Sequence, residues 1–93
     1  MPLHLTGTMT CPPERLAAVR AALPAHITLT RAEPGCLSFD VTEDPDQPGL
    51  FHVDERFTDG KAFDAHQARG AASAWAAVTK GLPRAYEITE TEA

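Results

Sequence analysis

Two stretches of alternating residues, Cys36–Thr42 and Leu50–Thr58, flank a loop, Asp44–Gly49, that carries two prolines and a glycine. Alternation with a period of two marks a half-buried strand. A short loop between two such runs makes them an antiparallel hairpin. In the first run Leu37, Phe39 and Val41 share a face. In the second, Phe51, Val53, Glu55 and Phe57 share one face, and His52, Asp54 and Arg56 share the other.

The rest of the chain can be fitted around this hairpin. Leu3–Thr10 alternates in the same way, with Leu3, Leu5, Gly7 and Met9 on one side. Pro12, Pro13 and Glu14 suit the first turn of a helix, and Leu16, Val19, Leu23 and Ile27 follow at helical spacing. Pro24 predicts a kink or a split in that helix, and Pro34-Gly35 ends the segment. After the hairpin, Asp59 or Thr58 can cap a second helix, with Phe63 and His66 on one side of it. Gly70 weakens the middle of this region. Trp75, Val78, Thr79 and Leu82 then resume helical spacing, and Gly81 and Pro83 fit its end. A final strand is predicted over Arg84–Thr91, with Arg84, Tyr86 and Ile88 on one face. The order β-α-β-β-α-β is the ferredoxin-like arrangement, an α+β fold with an antiparallel sheet. Both helices lie on one face of that sheet, so the other must be polar or covered, for example by a second subunit.

The chain has 93 residues, which fits one domain spanning 1–93. So short a chain has little core to hollow out, and a deep cavity in a lone subunit is not expected; pairing of subunits is the usual remedy. The formal net charge of −5 and the scattered basic residues argue against a nucleic-acid partner. No apolar run approaches the roughly 20 residues of a membrane helix, and the N-terminus shows no signal peptide. A cytoplasmic protein is the expectation. Cys11 and Cys36 are too few for a disulfide scaffold. The four histidines show no metal-ligand spacing, so no metal site is expected.

Chemistry concentrates at a few positions. Glu55 shares a face with three apolar residues, where a carboxylate must be paired or pay for burial. Desolvation would raise its pKa and make it a usable general base; an ion pair with Arg84 or another basic group is the structural alternative. His66 faces the same sheet and could be held in one tautomer by Glu55, or could bond a backbone carbonyl at the core edge. Trp75 could stack on an aromatic ligand or simply fill the core. Tyr86 and His52 are weaker candidates at strand positions. These residues alone do not specify a reaction.

Three runs carry a resemblance. Arg31–Val41, containing Glu33-Pro34-Gly35-Cys36, resembles the first signature of the antibiotic biosynthesis monooxygenase (ABM) domain family. Asp44-Pro45 followed by Phe51–Phe57 is similar to its second, and Ala62–His66 to its third. The resemblance implies a dimeric α+β barrel, that is, a homodimer whose sheets pack face to face, with a pocket in each subunit between sheet and helices. It further implies a cofactor-independent monooxygenase that oxidises a small quinol-like or polyphenolic substrate with dioxygen. Other members isomerise small molecules or have no known activity, so an isomerase or a non-catalytic ligand-binding protein is the alternative. On this reading Glu55 or His66 is the base, and Trp75, Phe57, Phe51 and Tyr86 form the pocket wall; no cofactor is called for. Two departures stand out. Ala71 and Ala72 occupy positions where many relatives carry a second histidine and a large apolar residue. The chain also has no asparagine, on which haem-degrading members rely.

Overall fold

The alternation over 50–57 becomes a strand with a partner on each side. The computed structural model describes residues 1–90 and contains, in chain order, β1 (Leu3–Thr10), α1 (Pro13–Arg31), β2 (Cys36–Glu43), β3 (Leu50–Phe57), α2 (Gly60–Ala71), α3 (Ala74–Thr79) and β4 (Arg84–Glu90). Thr91, the expected end of the last strand, lies outside the described residues. The four strands form one antiparallel sheet in the order β2-β3-β1-β4, the ferredoxin-like arrangement expected from the sequence.

Parity decides what is buried. Phe51, Val53, Glu55 and Phe57 of β3 and Leu3, Leu5 and Met9 of β1 all face the helices and are buried. They meet Leu16 and Val19 of α1. Together these apolar side chains form the core, and removing their area from water drives the fold.

Three local readings change. Leu37 does not share a face with Phe39: β2 slips against β3 between Cys36 and Ser38, and this bulge turns Leu37 outward, 58% exposed. One extra residue inverts the facing of everything before it. Pro24 does not split α1, which runs unbroken from Pro13 to Arg31. The helix buries Leu16, Val19, His26 and Thr30 on both sides of the proline, so packing outweighs the lost backbone bond. The second helical region, by contrast, divides. α2 ends at Ala71, and Ser73 starts α3 by accepting from Ala76 N (3.3 Å) while donating to Gly70 O (2.6 Å). Asp59 caps α2 as expected, accepting from Ala62 N at 2.8 Å.

β4 pairs with β1 alone, and every one of its residues is exposed. Gly7 makes that pairing possible at its centre. A Cβ there would sit 2.0 Å from Ala85 O and 2.8 Å from Tyr86 Cδ1, so the missing side chain is the space that Tyr86, its register partner, occupies. Among the described residues no helix is long and apolar enough to cross a membrane. Gly7→Ala should lower stability by more than about 1 kcal/mol, read as a lower urea midpoint with unchanged slope; a midpoint equal to wild type would mean that β4 is not seated on β1 in this way.

Candidate active site

Glu55 sits mid-strand in β3, flanked in register by Leu5 on one side and Phe39 on the other. It is 7% exposed. Burial pushes its carboxyl up to about 7, reinforced by the nearby negative charges of Glu33 and Asp54. It makes no ion pair with Arg84. Its close polar neighbour among the described residues is His66, whose Nε2 lies 3.6 Å from Glu55 Oε1.

His66 is delivered by α2 into a nest of rings. Phe57 lies 4.9 Å away between ring centroids, Phe39 5.6 Å and Phe63 6.4 Å. The partner that fixes its tautomer is Glu33, not Glu55: Nδ1 lies 3.0 and 3.2 Å from the two Glu33 carboxylate oxygens. An ionised carboxylate only accepts, so Nδ1 carries the proton and Nε2 faces Glu55 with a free lone pair. Arg69, one turn after His66, also donates through Nε to Glu33 and through Nη2 to Thr30 Oγ1 (2.8 Å). The result is an ordered line of groups, Arg69–Glu33–His66–Glu55, that ends on a carboxyl poised between its two protonation states near neutral pH.

The turn after α1 puts Glu33 there. Cys36 N bonds back to Glu33 O (3.0 Å), and Thr58 N bonds Gly35 O (2.9 Å). A Cβ on Gly35 would come within 2.2 Å of Ala62 Cβ. Only a glycine lets the turn lie this close to α2, and that closeness brings Glu33 within reach of His66. Glu33 belongs to the Glu-Pro-Gly run of the sequence, but nothing in the run alone marks it as a partner for a histidine 33 positions away.

Glu55 and His66 open onto a cavity of about 410 Å³. Met9, Val41 and Val53 give it an apolar floor, Trp75 and Phe39 form part of its wall, and Arg84 and Tyr86 line it from β4. Trp75 packs against the core and also lines the cavity. Phe51 and Phe57, expected in the wall, are not in it. Both are fully buried behind the lining, and Phe57 acts through its contact with His66. Ala71 lines the cavity with a methyl group only, beside Gly70. His26, which was not singled out from the sequence, also lines it. The His26 ring is 6% exposed, stacks on Trp75 at 4.9 Å and 10°, and meets Phe39 edge-on at 5.3 Å. Burial lowers its pKa to about 4, helped by the positive charge of Arg69 and, when its ring is protonated, by that of His66.

The sequence profile of the family described as antibiotic biosynthesis monooxygenase matches residues 2–78, most of the chain. The chain belongs to the antibiotic biosynthesis monooxygenase family. This ABM chain is 44% identical over 55 residues to a Mycobacterium tuberculosis protein named "Putative monooxygenase Rv0793". That alignment covers 59% of the chain and 54% of the relative, so it spans about half the relative's length. The solved structure of Rv0793 superposes over 100% of this chain and 97% of its own, with a TM-score of 0.78 and 28% identity. PA3566 from Pseudomonas aeruginosa superposes over 99% and 95%, with a TM-score of 0.79 and 28% identity. The family match stops before β4, so Glu33, Glu55, His66, Trp75 and His26 lie inside it, while Arg84 and Tyr86 lie beyond it.

Two buried groups of this site act on stability in opposite directions. The folded chain holds the Glu55 proton more tightly than the unfolded chain does. The stabilisation from Glu55 is therefore complete below its ordinary value of 4.5 and is lost as the pH rises to about 7. His26 resists protonation, so its stabilisation is present above 6.5 and is lost as the pH falls toward about 4. Between about pH 5 and 6.5 the two slopes offset each other. Stability measured by urea unfolding should rise with pH across this window in Glu55→Gln and fall in His26→Phe. Each change should be on the order of 1 kcal/mol per pH unit, with wild type nearly flat. Parallel curves for all three proteins would contradict both assignments.

Proposed function

We propose that this ABM protein is a cofactor-independent monooxygenase that oxidises a small quinol-like or polyphenolic substrate with dioxygen. The observation that carries this reading is the Glu55–His66 pair, with Nε2 3.6 Å from Oε1, at the edge of a cavity with an apolar floor. Dioxygen is a triplet and reacts poorly with closed-shell molecules, but an electron-rich phenolate can reduce it by one electron. Such a reaction needs a flat apolar pocket, a base matched to neutral pH and exclusion of water.

The residues map onto these needs in turn. The substrate ring lies against Trp75 and the apolar floor, with a hydroxyl toward Glu55 and His66. The pair takes the hydroxyl proton: ionised Glu55 accepts it directly, or His66 accepts it at Nε2 while Glu33 balances the imidazolium at Nδ1. The phenolate passes one electron to dioxygen, and the resulting superoxide and aryloxyl radical combine at a ring carbon to form a C–O bond. The peroxide takes a proton from the pair. Loss of the C–H proton and cleavage of the O–O bond then leave a carbonyl on the ring and release one water. One oxygen atom enters the product and the other leaves as water, with the substrate supplying all the electrons.

A non-catalytic role would fit a Glu55 locked in an ion pair with no pocket beside it. The cavity and the 3.6 Å gap to His66 favour catalysis instead. Oxygen uptake by metal-free protein with a panel of dihydroxyarenes should exceed the autoxidation blank. Glu55→Gln and His66→Ala should each lower the rate by about 10²-fold or more. Uptake equal to the blank, or both variants as fast as wild type, would defeat the proposal, and product formed without oxygen would point to an isomerase.

We also infer a cytoplasmic homodimer. The free thiols of Cys11 and Cys36 suit a reducing compartment. On the helix side of the sheet Tyr86 and Ile88 of β4, in register with Gly7 and Leu5, are left 39% and 50% exposed. A second copy would cover this surface and narrow the cavity mouth. Gel filtration should give about twice the 10.0 kDa chain mass; a monomer at assay concentration would refute the dimer.

A further inference from the structure

His26 is the buried polar group that neither the fold nor the proton-handling pair uses. Its Nδ1 is enclosed and has no hydrogen-bond partner among the described residues. Buried polar atoms are rarely left unpaired, and those that are call for an explanation. Burial of the apolar ring does not require a histidine here, because a phenylalanine would fill the same stack. What distinguishes the side chain is a ring that lines the cavity and carries hydrogen-bonding nitrogens.

Its setting keeps it neutral and flat. Trp75 lies parallel to it at 4.9 Å, Phe39 presents an edge at 5.3 Å, and the His66 ring is 6.1 Å away. A neutral imidazole offers one donor and one acceptor. A half-turn about χ2 keeps the ring in the same plane, and so leaves the Trp75 stack intact, while exchanging Nδ1 with the opposite edge. The side chain can therefore turn either edge toward a ligand without repacking. His26 comes from α1 and Glu55 from β3, so the cavity has two polar stations borne by different layers of the fold.

We propose that His26 is a specificity-determining residue. It hydrogen-bonds a second oxygen on the substrate ring, separate from the hydroxyl that faces Glu55 and His66, and so selects dioxygenated arenes over simple phenols. This rests on the arene-binding reading of the cavity given above and adds the residue that reads the second ring oxygen.

Binding under anaerobic conditions separates the two ideas, because it needs no turnover. Trp75, the only tryptophan, reports occupancy of the cavity by its emission. Naphthohydroquinone and naphthol, which differ by one ring oxygen, are the probes. Wild type should bind naphthohydroquinone roughly tenfold more tightly than naphthol, the size of one hydrogen bond. His26→Phe, which keeps the stack and loses the nitrogens, should bind the two equally. His26→Gln, which keeps a polar group, should recover part of the preference. A cooperative thermal transition establishes that each variant is folded. If wild type binds both probes and His26→Phe keeps the preference, or if wild type has no preference, the role of His26 is overturned and the arene site stands. If wild type binds neither probe, both readings fall.

Discussion

The burial of one carboxylate organises the site. Glu55 is held on the helix side of the sheet by the same alternation that buries Phe51, Val53 and Phe57. Nothing basic from the sheet neutralises it. Taking an ionised carboxylate out of water is costly, and the group answers by holding its proton up to about 7. Fold and chemistry are thus coupled: the strand register that builds the core also tunes the acid.

A tuned acid is of little use unless its neighbour is fixed. His66 would be free to choose its tautomer without Glu33, and Glu33 would be free to swing away without Arg69. Two contacts between elements distant in sequence set this geometry. The Gly35 turn lies against Ala62, and the Arg69 guanidinium bridges Glu33 and Thr30. Both run between the end of α1 and the α2 helix, so the angle of α2 over the sheet and the aim of His66 are set together. The positive charge of Arg69 also helps keep the neighbouring His26 neutral, against the opposing effect of Glu33.

Much of this was legible because strand parity is a local property. The facing of Phe51, Val53, Glu55 and Phe57 follows from spacing alone, and so does the hairpin. The misplacement of Leu37 shows the limit. A bulge is decided by how β2 pairs with β3, which no run of residues within β2 displays. The unbroken α1 has the same cause, since packing on both sides of Pro24 outweighs the local signal. His26 was visible in principle: it lies seven residues after Val19 and three after Leu23, on the apolar stripe of α1. A histidine on such a stripe gains meaning only when its neighbours are known. Glu33 and Arg69 could not be paired from sequence, because the fold brings together residues 36 positions apart.

The seating of Tyr86 over Gly7 divides the cavity into parts of different origin. The floor and the proton-handling groups belong to β1, β2, β3, α2 and the turn after α1, within the stretch that matches the family. Arg84 and Tyr86 come from a strand outside that stretch, which touches the rest of the sheet along β1 alone. Arg84 and Tyr86 therefore reach the cavity from a different strand than Glu55 and a different element than His66. The cavity thus has an inner part fixed by the family-matched stretch and an outer part supplied by a strand that can vary on its own.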